Sequence, residues 1–260
     1  MNRVGKAIAI FNQKGGVGKT TTNVNLSACL AANGKKVLVV DIDPQGNSTS
    51  GLGIDKGSLE YSMYDLLIGN ASAKECIVSA KRDNLYIIPS SVQLAGAEIE
   101  LTDLERRESR LKEAISPIIN DYDYIFVDCP PSLGLLTINS LTAVESVLIP
   151  IQCEYYALEG VSQLMHTIDL VRKNLNPMLQ VQGVVLSMFD GRTNLSIQVV
   201  DEVKKYFKGK VYTTLIPRNV RLAEAPSYGL SIVEYDPKSK GAEAYCDLAE
   251  EFLFLEEDVI

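Results

Sequence analysis

The sequence predicts an α/β fold: a doubly wound, mostly parallel sheet with helices on both faces. Short apolar runs rich in Val and Ile alternate with segments of helical periodicity along the chain. These runs are apolar at successive positions, as in strands that are buried on both faces of a parallel sheet. Two of them, residues 36–41 and 124–128, end in aspartate, at the sheet edge where open α/β sheets bind ligands.

The elements follow in order along the chain. Strands are predicted over residues 7–11, 36–41, 84–88, 124–128, 147–152, 181–188 and 211–216. Helices are predicted over residues 21–32, 61–68, 94–104, 107–119, 156–174, 195–207, 220–225 and 241–252. With no linker or internal repeat, residues 1–260 are expected to form a single domain.

Composition excludes several classes of protein. No apolar run reaches membrane-spanning length, and no signal peptide is expected. The five cysteines are scattered and odd in number, which argues against a disulfide framework or zinc site and suits a reducing cytoplasm. The one histidine, His166, is interpreted as a surface or packing residue.

A glycine-rich loop joins the first predicted strand to the first predicted helix. This context is that of a phosphate-binding loop, in which glycines with positive φ let a polyphosphate approach the backbone N–H groups. Lys19 can reach the β- and γ-phosphates, and the Thr20 hydroxyl can bind Mg²⁺. The candidate binding residues are Lys14, Gly15, Gly16, Val17, Gly18, Lys19, Thr20 and Thr21.

The loop departs from the usual G-x-x-x-x-G-K-[ST] spacing. Gln13 occupies the first glycine position, and Lys14 adds a second lysine. The resulting K-G-G-x-G-K-[ST] pattern is the deviant Walker A motif of one class of P-loop NTPases. A glycine turn followed by a capping Thr is the alternative, and the flanking strand and helix argue against it.

Two acidic segments complete the candidate site. Asp43 follows the second strand, and we interpret it as functional because Pro44 and Gly46 mark a shaped loop after it. Asp128 ends a buried strand in the Walker B manner, and such an aspartate holds Mg²⁺ directly or through water. Thr20, Asp43 and Asp128 are therefore the candidate metal ligands.

Charge limits how the chain can contact nucleic acid. The net charge of −8 disfavours uniform coating of DNA, so any contact needs a local basic patch. Residues 190–221 carry seven basic and three acidic side chains. Lys204, Lys205 and Lys208 alone indicate only a solvated helix face, but together with Arg192 and Arg221 they favour a phosphate-binding patch.

Four further motifs accompany the loop: DIDPQGN at 41–47, DCPPSLG at 128–134, QCEYYALEG at 152–160 and IPRNVRLAEAPS at 216–227. With these motifs the chain resembles the ParA family of deviant Walker A ATPases, most closely its short chromosomal members, from about residue 3 to about residue 252. It resembles members that lack an N-terminal helix-turn-helix domain.

The resemblance implies an ATPase for DNA partitioning, of chromosome or plasmid, that uses ATP and Mg²⁺. ATP would clamp two subunits into a homodimer that binds double-stranded DNA without sequence preference. A ParB-type centromere-binding protein would stimulate hydrolysis and release the dimer. The protein would be cytoplasmic and nucleoid-associated, without a membrane partner, and the replication initiator DnaA is a further partner of such proteins.

The resemblance also implies roles for single residues. Lys14 would reach the phosphates bound to the other subunit, and Lys19 would serve those of its own. Asp43 would orient the attacking water. Pro217 and Asn219 would lie beside the adenine, and Arg192 and Arg221 would contact DNA.

Three other classes share the loop. MinD-like proteins bind membranes through a basic C-terminal helix, but residues 241–260 contain seven acids and no Lys or Arg. Iron–sulfur carriers need paired cysteines, and Cys129, interpreted as a packing residue, is the one candidate. Small-molecule ligases such as dethiobiotin synthetase would need no DNA, so stimulation of hydrolysis by DNA and a ParB-type protein separates them from the partitioning class.

Overall fold

The computed structural model describes residues 5–154 and 159–257, which include one eight-stranded sheet. The strands, in chain order, are β1 (Lys6–Ile10), β2 (Val37–Asp41), β3 (Val78–Ser79), β4 (Leu85–Ile88), β5 (Tyr124–Asp128), β6 (Ser146–Gln152), β7 (Gln180–Phe189) and β8 (Val211–Pro217). Across the sheet the order is β3-β4-β2-β5-β1-β6-β7-β8. Only the β3–β4 pair is antiparallel among these strands, which confirms the predicted mostly parallel sheet.

Helices connect the strands and cover both faces of the sheet. They are α1 (Lys19–Ala32), α2 (Asn47–Gly51), α3 (Met63–Ile68), α4 (Ala73–Cys76), α5 (Leu94–Glu100), α6 (Arg110–Ile115), α7 (Leu135–Ala143), α8 (Glu159–Asn174), α9 (Asn194–Phe207), α10 (Val220–Glu224), α11 (Ile232–Tyr235) and α12 (Lys240–Glu257). In the part of the chain that the structure describes, no helix is long and apolar enough to cross a membrane.

Alternating side chains of the central strands feed two cores. On β1, Ile8 and Ile10 join the core under α1 and α12, whereas Ala7 and Ala9 join the core under α3, α6, α7 and α8. The period of two along a strand sends successive side chains to opposite faces. Both faces of β1 are therefore buried, as its continuous apolar sequence predicts.

Several predicted helices have different bounds in the structure. The helix predicted over 94–104 ends at Glu100 and continues as a 3₁₀ turn, Leu101–Asp103. The helix predicted over 107–119 is α-helical only over α6, and a 3₁₀ segment, Ser116–Asp121, follows it with Pro117 near its start. The final helix continues past the predicted residue 252 to Glu257. Part of the 152–160 motif, residues 155–158, lies outside the described residues.

Helix α7 was not predicted. Six of its nine residues are buried, and four of those are the polar residues Thr137, Asn139, Ser140 and Thr142. The side chains of Asn139 and Ser140 donate hydrogen bonds to the carbonyl groups one turn earlier in the helix, those of Leu135 and Leu136. A helix buried on several sides and rich in Ser, Thr and Asn lacks the amphipathic period by which helices are recognised.

Edge strand β8 is closed by a carboxylate of α12. Glu251 accepts hydrogen bonds from the backbone N–H groups of Thr213 and Thr214, at 2.6 and 2.9 Å, and from the Thr214 hydroxyl at 2.7 Å. Burial alone would raise the pKa of Glu251, but these donors outweigh it and lower the pKa. Unpaired edge N–H groups invite intermolecular pairing, so Glu251 both stabilises β8 and protects it.

We predict that Glu251→Ala lowers the free energy of unfolding by about 1–3 kcal/mol, because N–H groups lose a charged acceptor. Because the pKa of Glu251 is lowered on folding, its contribution is present above the unfolded-state value of about 4.3 and is lost as pH falls through the folded value. Urea unfolding at pH 7 and at pH 3 measures both effects.

Glu250→Ala is the matched control, because Glu250 is the preceding residue of the same helix and is exposed. Its free energy of unfolding should stay within about 0.5 kcal/mol of the wild type. An equal loss in both variants at pH 7 would contradict the role given to Glu251.

Candidate nucleotide-binding site

The glycine loop leaves β1 and enters α1 by a left-handed turn. Gly16 and Gly18 have φ of +74° and +91°, a backbone conformation that residues with a Cβ adopt only with strain. Gly18 is the N-cap of α1, and its carbonyl accepts the Thr22 N–H at 2.8 Å. Added Cβ atoms at Gly15 or Gly16 would meet nothing within 4 Å, so the loop presents open backbone at the helix N-terminus.

Neighbouring elements hold this loop from several sides. The buried Ser187 hydroxyl of β7 donates to the Val17 carbonyl at 2.7 Å. Asn12 donates to the Pro150 carbonyl at 2.8 Å, and its side-chain oxygen accepts the Lys14 N–H at 3.0 Å. The loop is therefore shaped by contacts within this chain.

The two loop lysines lie in opposite environments. Lys19 is 7% exposed, and its ammonium donates to the Lys14 carbonyl at 3.1 Å. Burial lowers the pKa of Lys19, and the nearby Asp128 partly restores it. Lys14 is exposed and makes no ion pair with any residue in the described ranges.

Three aspartates meet at the carboxyl ends of β2 and β5. The parallel register places Asp41 opposite Asp128, and both are almost completely buried. Burial raises the pKa of each carboxyl group, and repulsion from Asp41 and from Asp43 raises the pKa of Asp128 further. Asp43, 8% exposed, lies two residues beyond Asp41 on the same edge. The predicted convergence of Asp43 and Asp128 near Lys19 is thus present.

Asp128 has one oxygen in use and one free. Its Oδ2 accepts the Ser48 hydroxyl at 2.8 Å. Its Oδ1 is buried and forms no hydrogen bond of normal geometry with any described residue. The Thr20 hydroxyl lies close enough to lower the pKa of Asp128. Mg²⁺ prefers oxygen ligands, and here a buried carboxylate oxygen that accepts no hydrogen bond of normal geometry from the described residues lies beside a hydroxyl oxygen. The residues present therefore fit this ion.

A cavity of about 420 Å³ opens beside the loop between β7, β8 and α10. Gly18 and Thr21 line it from the loop side, and Pro217 and Asn219 line it from the end of β8. Asn219 also caps α10, since its side-chain oxygen accepts the Arg221 N–H at 2.8 Å. The volume lies in the range of small-ligand sites, and both predicted base-contacting residues reach it.

The basic segment 190–221 is split by the fold. Arg192 follows β7 and Arg221 follows β8, and Phe189 pairs with Pro217, so these arginines share the carboxyl edge of the sheet. Lys208 and Lys210 precede β8, whose seven residues separate them from that edge by about 20 Å. The expectation that the lysines join Arg192 and Arg221 in one patch is therefore wrong, because α9 runs antiparallel to the strands.

Both arginines already have acidic neighbours. Arg192, with a side chain 88% exposed, pairs with Asp190 at 2.7 Å. Arg221 pairs with Glu224 at 2.8 Å and with Asp236 at 3.5 Å.

Comparison with known proteins decides the family. Residues 5–181 match the AAA_31 family of AAA domains. The sporulation initiation inhibitor protein Soj of Bacillus subtilis is 63% identical over 95% of this chain and 98% of its own length. The chromosome partitioning protein ParA of Myxococcus xanthus is 52% identical over 96% of this chain and 88% of its own.

The chain belongs to the Soj/ParA family of chromosome-partitioning ATPases.

Solved structures place nucleotide and magnesium among the ligands of this Soj/ParA-like fold. A cobyrinic acid a,c-diamide synthase of Mycobacterium smegmatis, solved with an ATP analogue and magnesium, has a TM-score of 0.83 at 38% identity and covers 95% and 93% of the two chains. The cell-division ATPase MinD of Pyrococcus furiosus has a TM-score of 0.80 at 30% identity, covering 96% and 99%.

Sequence reasoning missed the small polar residues that shape the site. Ser48 holds Asp128 and Ser187 holds the glycine loop, yet each is distant in sequence from the residue it holds. A single serine in an ordinary segment carries no spacing signal. Cys129, interpreted as a packing residue, is buried, and burial raises the pKa of its thiol to about 12.

We predict that Asp128→Asn raises the Mg²⁺ concentration needed for half-maximal binding of a fluorescent ATP analogue by at least about tenfold. The amide lacks the negative charge that a divalent cation requires. Binding in EDTA should change by less than about twofold, since the loop itself is intact.

Asp103→Asn, at an exposed aspartate, is the control and should leave the Mg²⁺ titration unchanged. If Asp128→Asn titrates like the wild type, Asp128 is not part of the metal site.

Proposed function

We propose that this chain is an ATP-hydrolysing DNA-partitioning protein whose nucleotide pocket is completed by a second copy. The observation that carries the proposal is the contrast between the two loop lysines. Lys19 is buried against its own loop, whereas Lys14 projects from the same loop into solvent without an ion-pair partner in the described residues. The 63% identity to Soj supports the partitioning role.

Within one subunit the loop would bind the polyphosphate through backbone N–H groups, the α1 N-terminus and Lys19. Thr20 and Asp128 would hold Mg²⁺, which neutralises phosphate charge when it is bound. Asp43 would orient the attacking water. Phosphoryl transfer depends mainly on positioning and charge stabilisation, so these groups supply most of what the reaction needs.

Lys14 would supply the missing cation across a subunit interface. A cation that arrives only when two subunits meet makes hydrolysis depend on dimerisation, as an arginine finger does in other NTPases. An exposed lysine costs little to reorient, because it gives up no ion pair in the described structure. Pro217 and Asn219 would contact the base in the cavity beside the loop.

The ATP-bound dimer would bind double-stranded DNA through Arg192 and Arg221, and a ParB-type protein would stimulate hydrolysis. Each arginine would exchange a surface carboxylate for a phosphate. Exposed ion pairs are worth only about 0–1 kcal/mol, so the exchange costs little. The two arginines follow adjacent strands, so one DNA backbone can contact both.

The C-terminal helix supports this assignment over a MinD-like membrane role. In the described part of α12, Glu243, Asp247, Glu250 and Glu257 are exposed or partly exposed acids, and anionic lipid would repel them. Sequence identity favours the partitioning role over the ligase alternative, because this chain is 63% identical to Soj and 38% identical to the M. smegmatis synthase.

We predict that Lys14→Ala reduces ATP turnover at least about 100-fold while leaving binding of a fluorescent ATP analogue to the monomer within about threefold. Wild-type turnover per subunit should fall on dilution, because the second lysine comes from another copy. Steady-state phosphate release over a protein dilution series measures both effects.

Lys112→Ala removes an exposed lysine of α6 and is the matched control, with turnover equal to the wild type. A wild-type rate per subunit that stays constant at concentrations where light scattering finds only monomers would refute the shared pocket. Retained turnover in Lys14→Ala would do the same.

We predict that Arg221→Ala weakens ATP-dependent binding to random-sequence DNA at least about tenfold at 100 mM salt. Each lost phosphate contact reduces the log–log salt slope by about 0.9, so a dimer lacking two arginines should lose about 2 from the slope. Fluorescence anisotropy at several salt concentrations provides the measurement.

Arg106→Ala is the control, since Arg106 is also an exposed arginine in a surface ion pair, with Glu113, and lies outside the 190–221 segment. It should bind DNA as the wild type does. An unchanged slope for Arg221→Ala would remove that residue from the DNA-contacting surface.

A further inference from the structure

Asp43 lies in a tight turn whose backbone is hydrogen-bonded at both ends. The Gly46 N–H donates to the Asp43 carbonyl at 2.8 Å, and the Gln45 N–H donates to Asp43 Oδ1 at 2.9 Å. Gly46 has φ of +60°, and a Cβ there would come within 3.0 Å of the Ser90 carbonyl oxygen. The turn therefore rests directly on the segment that follows β4.

Two buried side chains hold the peptide groups on either side of Asp43. The Asp43 N–H donates to Asp41 Oδ1 at 3.3 Å. The Ser90 hydroxyl donates to the Asp43 carbonyl at 2.7 Å. One contact comes from the end of β2 and the other from beyond β4, so the Asp43 backbone is held from two neighbouring strands.

A third residue, Thr49 of α2, ties these two contacts together. Its hydroxyl donates to Asp41 Oδ2 at 2.7 Å and accepts the Ser90 N–H at 2.9 Å, while its own N–H donates to Asp41 Oδ2 at 2.8 Å. Asp41, Thr49 and Ser90 are each 0% exposed. Where water cannot enter, a lost hydrogen bond has no replacement, and the linked bonds act as a unit.

We infer that Asp41, Thr49 and Ser90 form a positioning clamp for Asp43, in which Ser90 fixes the direction of the Asp43 side chain by holding its carbonyl. The inference rests on the proposed function, because it takes Asp43 as the group that orients the attacking water. None of the three clamp residues is assigned contact with the nucleotide. They act through Asp43, and the role that the proposed function gives Asp43 lies in the chemical step.

The clamp predicts that turnover depends on the hydroxyl groups of Ser90 and Thr49. A clamp residue that lost its hydroxyl would leave the Asp43 turn in place but free to move, and an error of about 1 Å in a reacting group costs up to about 100-fold in rate. The glycine loop makes no hydrogen bond to Ser90 or Thr49 among the described residues, so nucleotide affinity should be unaffected.

The test compares Ser90→Ala with Ser91→Ala in the full chain. Ser91 is the neighbouring residue, and its hydroxyl has no hydrogen-bond partner among the described residues. Ser90→Ala should lower ATP turnover about 10- to 100-fold at saturating DNA, with affinity for a fluorescent ATP analogue within about twofold. Ser91→Ala should match the wild type in both measurements.

A double variant separates positioning from general loss of structure. If Ser90 acts through Asp43, adding Ser90→Ala to Asp43→Ala should change the residual rate by less than about twofold, because the group being positioned is already absent. Independent effects that multiply would overturn the inference. Thr49→Ser, which keeps the hydroxyl, should retain far more turnover than Thr49→Val, which removes it at nearly constant volume.

Hydrogen exchange provides a readout that needs no hydrolysis. The amides of Asp43, Gln45 and Gly46 should exchange at least about tenfold faster in Ser90→Ala than in the wild type or Ser91→Ala. Unchanged exchange there would overturn the clamp whatever the turnover. If the wild-type protein itself fails to hydrolyse ATP, the proposed function fails, and the exchange rates still decide whether Ser90 holds the turn.

Discussion

The site depends on a cluster of opposite charges held out of water at the end of two adjacent strands. Asp41 and Asp128 lie side by side because β2 and β5 are parallel and in register, and Lys19 faces them from the first turn of α1. Neighbouring buried carboxylates repel each other, and both repulsion and burial oppose their ionisation. Ser48 and the Lys19 ammonium stabilise the charged form of Asp128, and Thr49 stabilises that of Asp41. The site therefore depends on this surrounding shell of polar groups.

That shell also explains which parts of the site were predictable. Lys19, Thr20, Asp43 and Asp128 follow from position alone, because a loop or an acid after a buried strand must emerge at the carboxyl edge of a parallel sheet. Ser90 could not be predicted, since its partner Asp43 is 47 residues away and the contact depends on β4 pairing with β2. Which strands lie next to each other is a property of the tertiary structure, and one sequence alone does not reveal it.

The same limit governs the fold. Strands were found because parallel-sheet strands are continuous apolar runs, and the long amphipathic helix α9 was found by its period. Helix α7 was missed because its buried polar residues are satisfied by local back-bonds and by distant partners, such as the bond from the Leu111 N–H to Asn139. The basic segment was misjudged for a related reason: residues close in sequence are carried to opposite edges of the sheet by one helix.

The overall charge of −8 does not argue against the proposed DNA-contacting edge, because part of the acidic surplus is used inside the protein. Glu256 is 3% exposed and accepts bonds from Lys6 and Gln182, and Glu251 closes the edge strand. These carboxylates are neutralised or bound to N–H donors, and both anchor the C-terminal half of α12, which packs against β8. Arg192 and Arg221 follow the carboxyl ends of β7 and β8, at the other edge of the sheet from Glu256. The charge that a phosphate backbone would meet there depends on the local ion pairs of these arginines and not on the net charge of the chain. For this chain the net charge is therefore a poor guide to the proposed DNA contact, which depends on where each charge lies relative to the sheet edges.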